Sequence, residues 1–152
     1  MVNPTVLDYL GGRQASRQWK KFLAALALEF SGALPEADLR ALMRRVGIRF
    51  AEQSALSRCE TLDDAQRSMN LVWMDQDWGW ATVDEQHDAL RITHNCSPLH
   101  AAFGPHSSAW IAAFLEGVYQ KWFEQLGAGS HLMVTQASEV DAMGCVELRL
   151  GR

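Results

Sequence analysis

Three histidines and a cysteine fall within thirteen residues of this chain, in the run His94-Asn95-Cys96-Ser97-Pro98-Leu99-His100-Ala101-Ala102-Phe103-Gly104-Pro105-His106. Imidazole and thiolate are the usual ligands of zinc, and a thiol beside an imidazole base is the usual form of a cysteine nucleophile. His94, Cys96, His100 and His106 therefore define a candidate metal-binding or ligand-sensing loop, and Cys96 with His100 a candidate thiol enzyme. Neither is supported by spacing. The four do not match a recognised zinc pattern, and nothing nearby marks an oxyanion hole or a carboxylate to orient His100. Surface histidines with a small buried thiol are the plainer expectation, so no metal and no cofactor are assigned.

Other catalytic signatures are missing from the sequence: there is no Gly-rich phosphate loop, no HExxH, no Gly-x-Ser-x-Gly and no CxxC pair. The paired carboxylates Asp63-Asp64 and Asp84-Glu85 suit a helix first turn and a chain reversal better than acid-base catalysis. Arg40, Arg44, Arg45 and Arg49 could meet an anion, but a solvated flank paired with nearby carboxylates is the commoner outcome. No catalytic residue is assigned, and the chain is read as a non-enzyme.

The elements that must hold these residues follow from composition and period. A chain of 152 residues with 48% hydrophobic content suits one compact domain. The 14 basic and 18 acidic residues leave a net charge of -4, with no global attraction toward nucleic acid. No apolar run approaches the ~20 residues needed to span a bilayer, and the start of the chain lacks the features of a secretory signal. Three cysteines, Cys59, Cys96 and Cys145, are too few for a disulfide framework. A cytoplasmic, non-spanning protein is expected, with the periplasm as the alternative.

Trp19, Phe22, Leu23, Leu26, Ala27 and Phe30 recur at steps of three and four, predicting a helix over 16–31 that Gly32 helps to end. Pro35 opens a second helix with the stripe Leu39, Leu42, Met43, Val46 and Phe50, and Thr61 with Asp64 caps a third that ends near Asp77. The period then changes. Trp78 to Val83 and Leu90 to His94 read as a hairpin, with Leu90, Ile92 and His94 on one face. Residues 97–107 become a connection punctuated by Pro98, Gly104 and Pro105. A long helix over 109–126 follows, apolar over more than half its circumference, and 131–135 with 145–150 form a closing strand pair.

The aromatic patterning is the least ordinary feature. Trp78 and Trp80 flank Gly79 and are expected on one sheet face, where planar rings can stack on the apolar face of a sugar. The succession Trp78-Gly79-Trp80, Leu90-Arg91-Ile92-Thr93-His94, then Trp110 and Leu115-Glu116-Gly117-Val118-Tyr119 with Trp122, a Gly-Ala stop and two final strands resembles the D subunit of bacterial cellulose synthase from about Ala51 onward. The resemblance implies an α+β fold with a small antiparallel sheet, and a non-catalytic accessory protein of cellulose synthesis and export that organises glucan chains or synthase complexes into ordered, crystalline fibrils. The glucosyltransferase chemistry would lie on another polypeptide. The partners implied are further copies of the chain, as a homo-octamer built from dimers, the cellulose synthase complex, a proline-rich cellulose accessory protein and nascent β-1,4-glucan. The implied location is cytoplasmic, near the inner membrane.

Two expectations about assembly follow. An over-apolar last helix with small residues at Ala113 and Gly117 needs a second cover, so Ala113, Glu116, Gly117, Tyr119 and Trp122 are expected at a subunit contact. Residues 1–12 are expected to form a flexible arm preceding a single domain over 13–152, hinged at Gly11-Gly12, with Val2, Val6, Leu7, Tyr9 and Leu10 touching a neighbouring subunit or a glucan passage.

Overall fold

The computed structural model describes residues 3–152. Helix α1 (Pro4–Gln14) opens with Pro4 at its first position, and the Asn3 side chain accepts from the Thr5 amide at 2.8 Å. The segment expected as an arm is thus helical, and it runs through Gly11 and Gly12. The chain breaks at Ala15 and Ser16 instead, and Val2 lies outside the described residues.

Helix α2 (Arg17–Ala33) continues past Gly32 and stops because Leu34 precedes Pro35 and is pushed into extended conformation (φ -127°, ψ 145°). Helix α3 (Glu36–Gln53) starts after Pro35 with Glu36 and Asp38 in its first turn, where the helix dipole favours negative charge. Helix α4 (Leu62–Asp75) has the expected reciprocal cap, since the Asp64 amide donates to Thr61 Oγ1 at 3.0 Å while the Thr61 amide donates back to Asp64 at 3.3 Å. The Glu60 amide also donates to Asp64, and this bond is the main reason the carboxyl pKa falls below its usual value.

Strands β1 (Trp80–Glu85), β2 (Leu90–Asn95), β3 (Met133–Gln136) and β4 (Val146–Gly151) form one antiparallel sheet in the order β1-β2-β4-β3. Between β2 and β3 lie a one-turn helix α5 (Leu99–Phe103), a 3-10 turn at Pro105–Ser107, and α6 (Ala113–Gln125). The long helix predicted over 109–126 is shorter at its start, because Trp110 and Ile111 are buried in turns that precede it.

The fold is α+β as expected, and α6 is its axis. Alternation sends Ala81, Val83, Ile92, His94, Val134, Val146, Leu148 and Leu150 to the helical side of the sheet and leaves the other face mostly polar, with Trp80 and Met133 exposed on it. Trp73 of α4 centres an aromatic cluster, stacked on Phe50 at 5.4 Å and meeting His94 and Trp122 edge-on at 4.8 and 5.1 Å.

The expectation that Trp78 and Trp80 share a face fails. Gly79 sits at φ +79°, where a Cβ would collide with the Asn95 carbonyl, so the chain turns between the two rings. Trp78 packs inward on Trp73, Phe50 and Phe114, while Trp80 begins β1 on the exposed face.

Candidate functional site

The histidine and cysteine cluster dissolves when its side chains are placed. His94 is fully buried, not a surface histidine, and both ring nitrogens are engaged, Nδ1 with the Tyr119 hydroxyl at 2.6 Å and Nε2 with the Trp78 carbonyl at 2.7 Å. A carbonyl can only accept, so Nε2 carries the proton and Nδ1 accepts from Tyr119. The Tyr119 oxygen in turn accepts from Trp73 Nε1 at 3.1 Å. Burial lowers the His94 pKa to about 4 and raises that of Tyr119, so both are neutral at ordinary pH. The chain Trp73 to Tyr119 to His94 to Trp78 ties α4, α6, β2 and the segment before β1 together. His100 and His106 are exposed, and among the described residues no three metal-ligating side chains converge. The metal-sensor alternative therefore has no ligand set among them.

The five residues expected at a subunit contact are enclosed by their own chain. Ala113, Tyr119 and Trp122 have no exposed surface, Glu116 and Gly117 are buried, and the second cover of α6 is α3. A Cβ added at Gly117 would collide with the Arg44 carbonyl oxygen, and one at Gly47 of α3 would collide with the Phe114 carbonyl oxygen. The small residues do mark a close helix approach, and the approaching helix is α3 of the same chain, not a second copy.

Arg40 and Arg44 likewise turn inward and do not form a solvated flank. Both reach Glu116 Oε1, at 3.0 and 2.9 Å, while Glu116 Oε2 accepts from the Gln136 amide at 2.7 Å. Arg44 also donates to the Val134 carbonyl, and Gln120 accepts from the Val134 amide and donates to the Leu132 carbonyl. These bonds occupy outward-facing groups of edge strand β3. On the opposite edge, Asn70 takes both the amide and the carbonyl of Ala81, and Gln66 accepts from the Val83 amide. Side chains of α3, α4 and α6 therefore cover both sheet edges, which opposes edge-to-edge pairing with another chain.

Apolar helical surface remains open to a partner. A groove of about 600 Å³ runs between α2 and α3 over α5, lined wholly by apolar side chains including Leu23, Leu26, Phe30, Leu42, Val46 and Phe103. Trp19 and Phe22, each 56% exposed and in edge contact at 5.9 Å, precede the groove residues on α2. On α1, Val6, Tyr9 and Leu10 are exposed, whereas Leu7 and Leu10 border a hollow completed by Cys96, Ala142 and Met143. Gln14 fastens α1 to the body by donating to the Cys96 carbonyl at 2.8 Å. Periodicity marks the α2 and α3 stripes but cannot show that α5 leaves part of them uncovered.

A family model for the D subunit of cellulose synthase matches residues 5–151. The chain belongs to the cellulose synthase D family. Similar members include proteins named "Cellulose synthase operon protein D", one from Komagataeibacter xylinus 30% identical over 131 residues, covering 84% of this chain and 83% of that one. Another, from Komagataeibacter sucrofermentans, is 27% identical over 135 residues, covering 87% and 86%. The match extends across α1, α2 and α3, so the resemblance apparent in the sequence from about Ala51 onward reaches nearly the whole of this cellulose synthase D chain. Membership gives the protein a role in cellulose synthesis. Among its described residues no helix is long and apolar enough to cross a membrane.

Proposed function

We propose that this cellulose synthase D protein is a non-catalytic scaffold of the cellulose synthesis and export machinery, assembling from dimers into a homo-octamer that helps order glucan chains or synthase complexes into crystalline fibrils. The observation that carries the assembly reading is the apolar groove between α2 and α3 with Trp19 and Phe22 exposed beside it, because contiguous apolar surface of this kind marks an interaction site. Closed sheet edges direct that contact to the helices. The engagement of His94 within the core supports a structural role for the residue whose type first suggested chemistry.

The same reading places the protein in the cytoplasm near the inner membrane, alongside the synthase complex and a proline-rich accessory protein. It gives α1 the role of a contact element, toward a neighbouring copy or nascent β-1,4-glucan, through Val6, Tyr9 and Leu10. Light scattering on a sizing column at several concentrations tests the assembly. An octameric mass is expected, and a stable monomer at all concentrations would overturn it. Deleting residues 1–10 should alter the mass or the order of the cellulose made in cells, and no change in either would remove α1 from the proposal.

A further inference from the structure

Cys96 and Cys145 flank the central strand pair, one just after β2 and the other just before β4. The Cys96 amide donates to Cys145 Sγ at 3.4 Å, which puts the two cysteines in direct contact. A sulfur that close to the other cysteine's amide is within a side-chain rotation of its Sγ. Cys96 itself holds a left-handed backbone conformation (φ 56°), uncommon for a residue with a Cβ. The neighbouring bond between the two segments is Ser97 amide to Gly144 carbonyl at 3.0 Å. Both cysteines are free and partly accessible.

We infer that Cys96 and Cys145 form an oxidisable dithiol whose closure to a disulfide locks the seat of helix α1. The hollow beneath α1 is bordered by Leu7, Leu10 and Gln14 of that helix, with one further wall from Cys96 and another from Ala142 and Met143. The two walls belong to chain segments that the disulfide would join covalently. With the thiols free the walls are held by hydrogen bonds, and α1 can leave its seat by local opening. With the disulfide closed they cannot part.

The co-reactant is a small disulfide of the glutathione type. The Cys96 thiolate attacks one sulfur of that disulfide, forming a mixed disulfide and releasing one thiol. The Cys145 thiolate then attacks Cys96 Sγ and expels the second thiol. The protein loses two protons and two electrons, and the small disulfide gains them as two thiols. Burial raises the Cys145 thiol pKa and so lowers its thiolate fraction at neutral pH, and the closing step is expected to quicken as pH rises. The inference holds whether or not the protein assembles.

The test uses the full chain in buffers of graded reduced and oxidised glutathione, followed by acid quench, alkylation and peptide mapping. The expected result is a Cys96 to Cys145 cross-linked peptide with Cys59 still alkylated, so that free thiols fall from three to one. Trypsin cleavage at Arg13, in the last turn of α1, should slow severalfold in the oxidised form. The isosteric variants Cys96→Ser and Cys145→Ser should each abolish the cross-link and leave cleavage insensitive to glutathione. If wild-type protein keeps both cysteines alkylatable at every ratio, or carries only glutathione adducts, the dithiol is refuted. If the cross-link forms with no change in cleavage at Arg13, the lock on α1 is refuted.

Discussion

Gly47 of α3 and Gly117 of α6 face each other across the helix crossing, the Cβ position of Gly47 lying 3.1 Å from the Gly117 Cα. Neither helix can take a larger residue here without moving its backbone, because the atoms met are carbonyl and amide groups, not the ends of flexible side chains. Gly117→Ala is expected to cost at least about 3 kcal/mol or to prevent folding. Gly32→Ala is the control, since a Cβ there meets nothing within 4 Å inside α2, and replacing a helical glycine gains up to about 1 kcal/mol. Urea unfolding of both variants checks the pair.

The His94 network sets a pH dependence whose sign is fixed by its cause. Burial lowers the folded pKa to about 4 from 6.5, so the unfolded chain binds the proton more readily. The stability due to neutral His94 is therefore fully present above pH 6.5 and is lost progressively as pH falls toward about 4. Between pH 7.5 and 5 the loss is expected to be about 2 kcal/mol from this residue. His94→Gln should be less stable at neutral pH and show a shallower decline, measured by urea unfolding across that range. An equal slope in both proteins would contradict the assignment.

Glu116 joins two arginines of α3 to the outer edge of β3. Glu116→Ala leaves Arg40 and Arg44 without their shared carboxylate and the Gln136 amide without its acceptor, at an expected cost of about 3–5 kcal/mol. Glu116→Gln keeps the shape and an acceptor and should cost less. Amide exchange at Gln136 should accelerate in the alanine variant more than exchange at Ile92 in the sheet centre.

Phe22 is expected to act on assembly and not on the fold, because it is largely exposed on α2 beside the groove. Phe22→Glu should lower the native mass while leaving the thermal unfolding of the resulting species cooperative and its circular dichroism unchanged. Retention of the wild-type mass would move the contact away from this face.

Much of the architecture is legible along the chain because it depends on near neighbours. Thr61 and Asp64 announce the start of α4 through a reciprocal cap, and alternation puts Leu90, Ile92 and His94 on one face of β2. The apolar circumference of α6 requires two covers, and two are present. Pro35 separates α2 from α3 by restricting Leu34. Each inference spans a few residues, the range over which sequence period and backbone sterics act.

The tertiary structure decided what those surfaces meet. That α3 covers α6, that Arg44 turns toward Glu116 at a separation of 72 residues, and that His94 is engaged by Tyr119 and Trp78 are outcomes of topology. Period shows that a face is apolar without saying whether its own chain or another will bury it, which is why period alone directs Gly117 to a partner copy. A single left-handed glycine, Gly79, separates Trp78 from Trp80 because strand alternation holds only while the backbone stays extended.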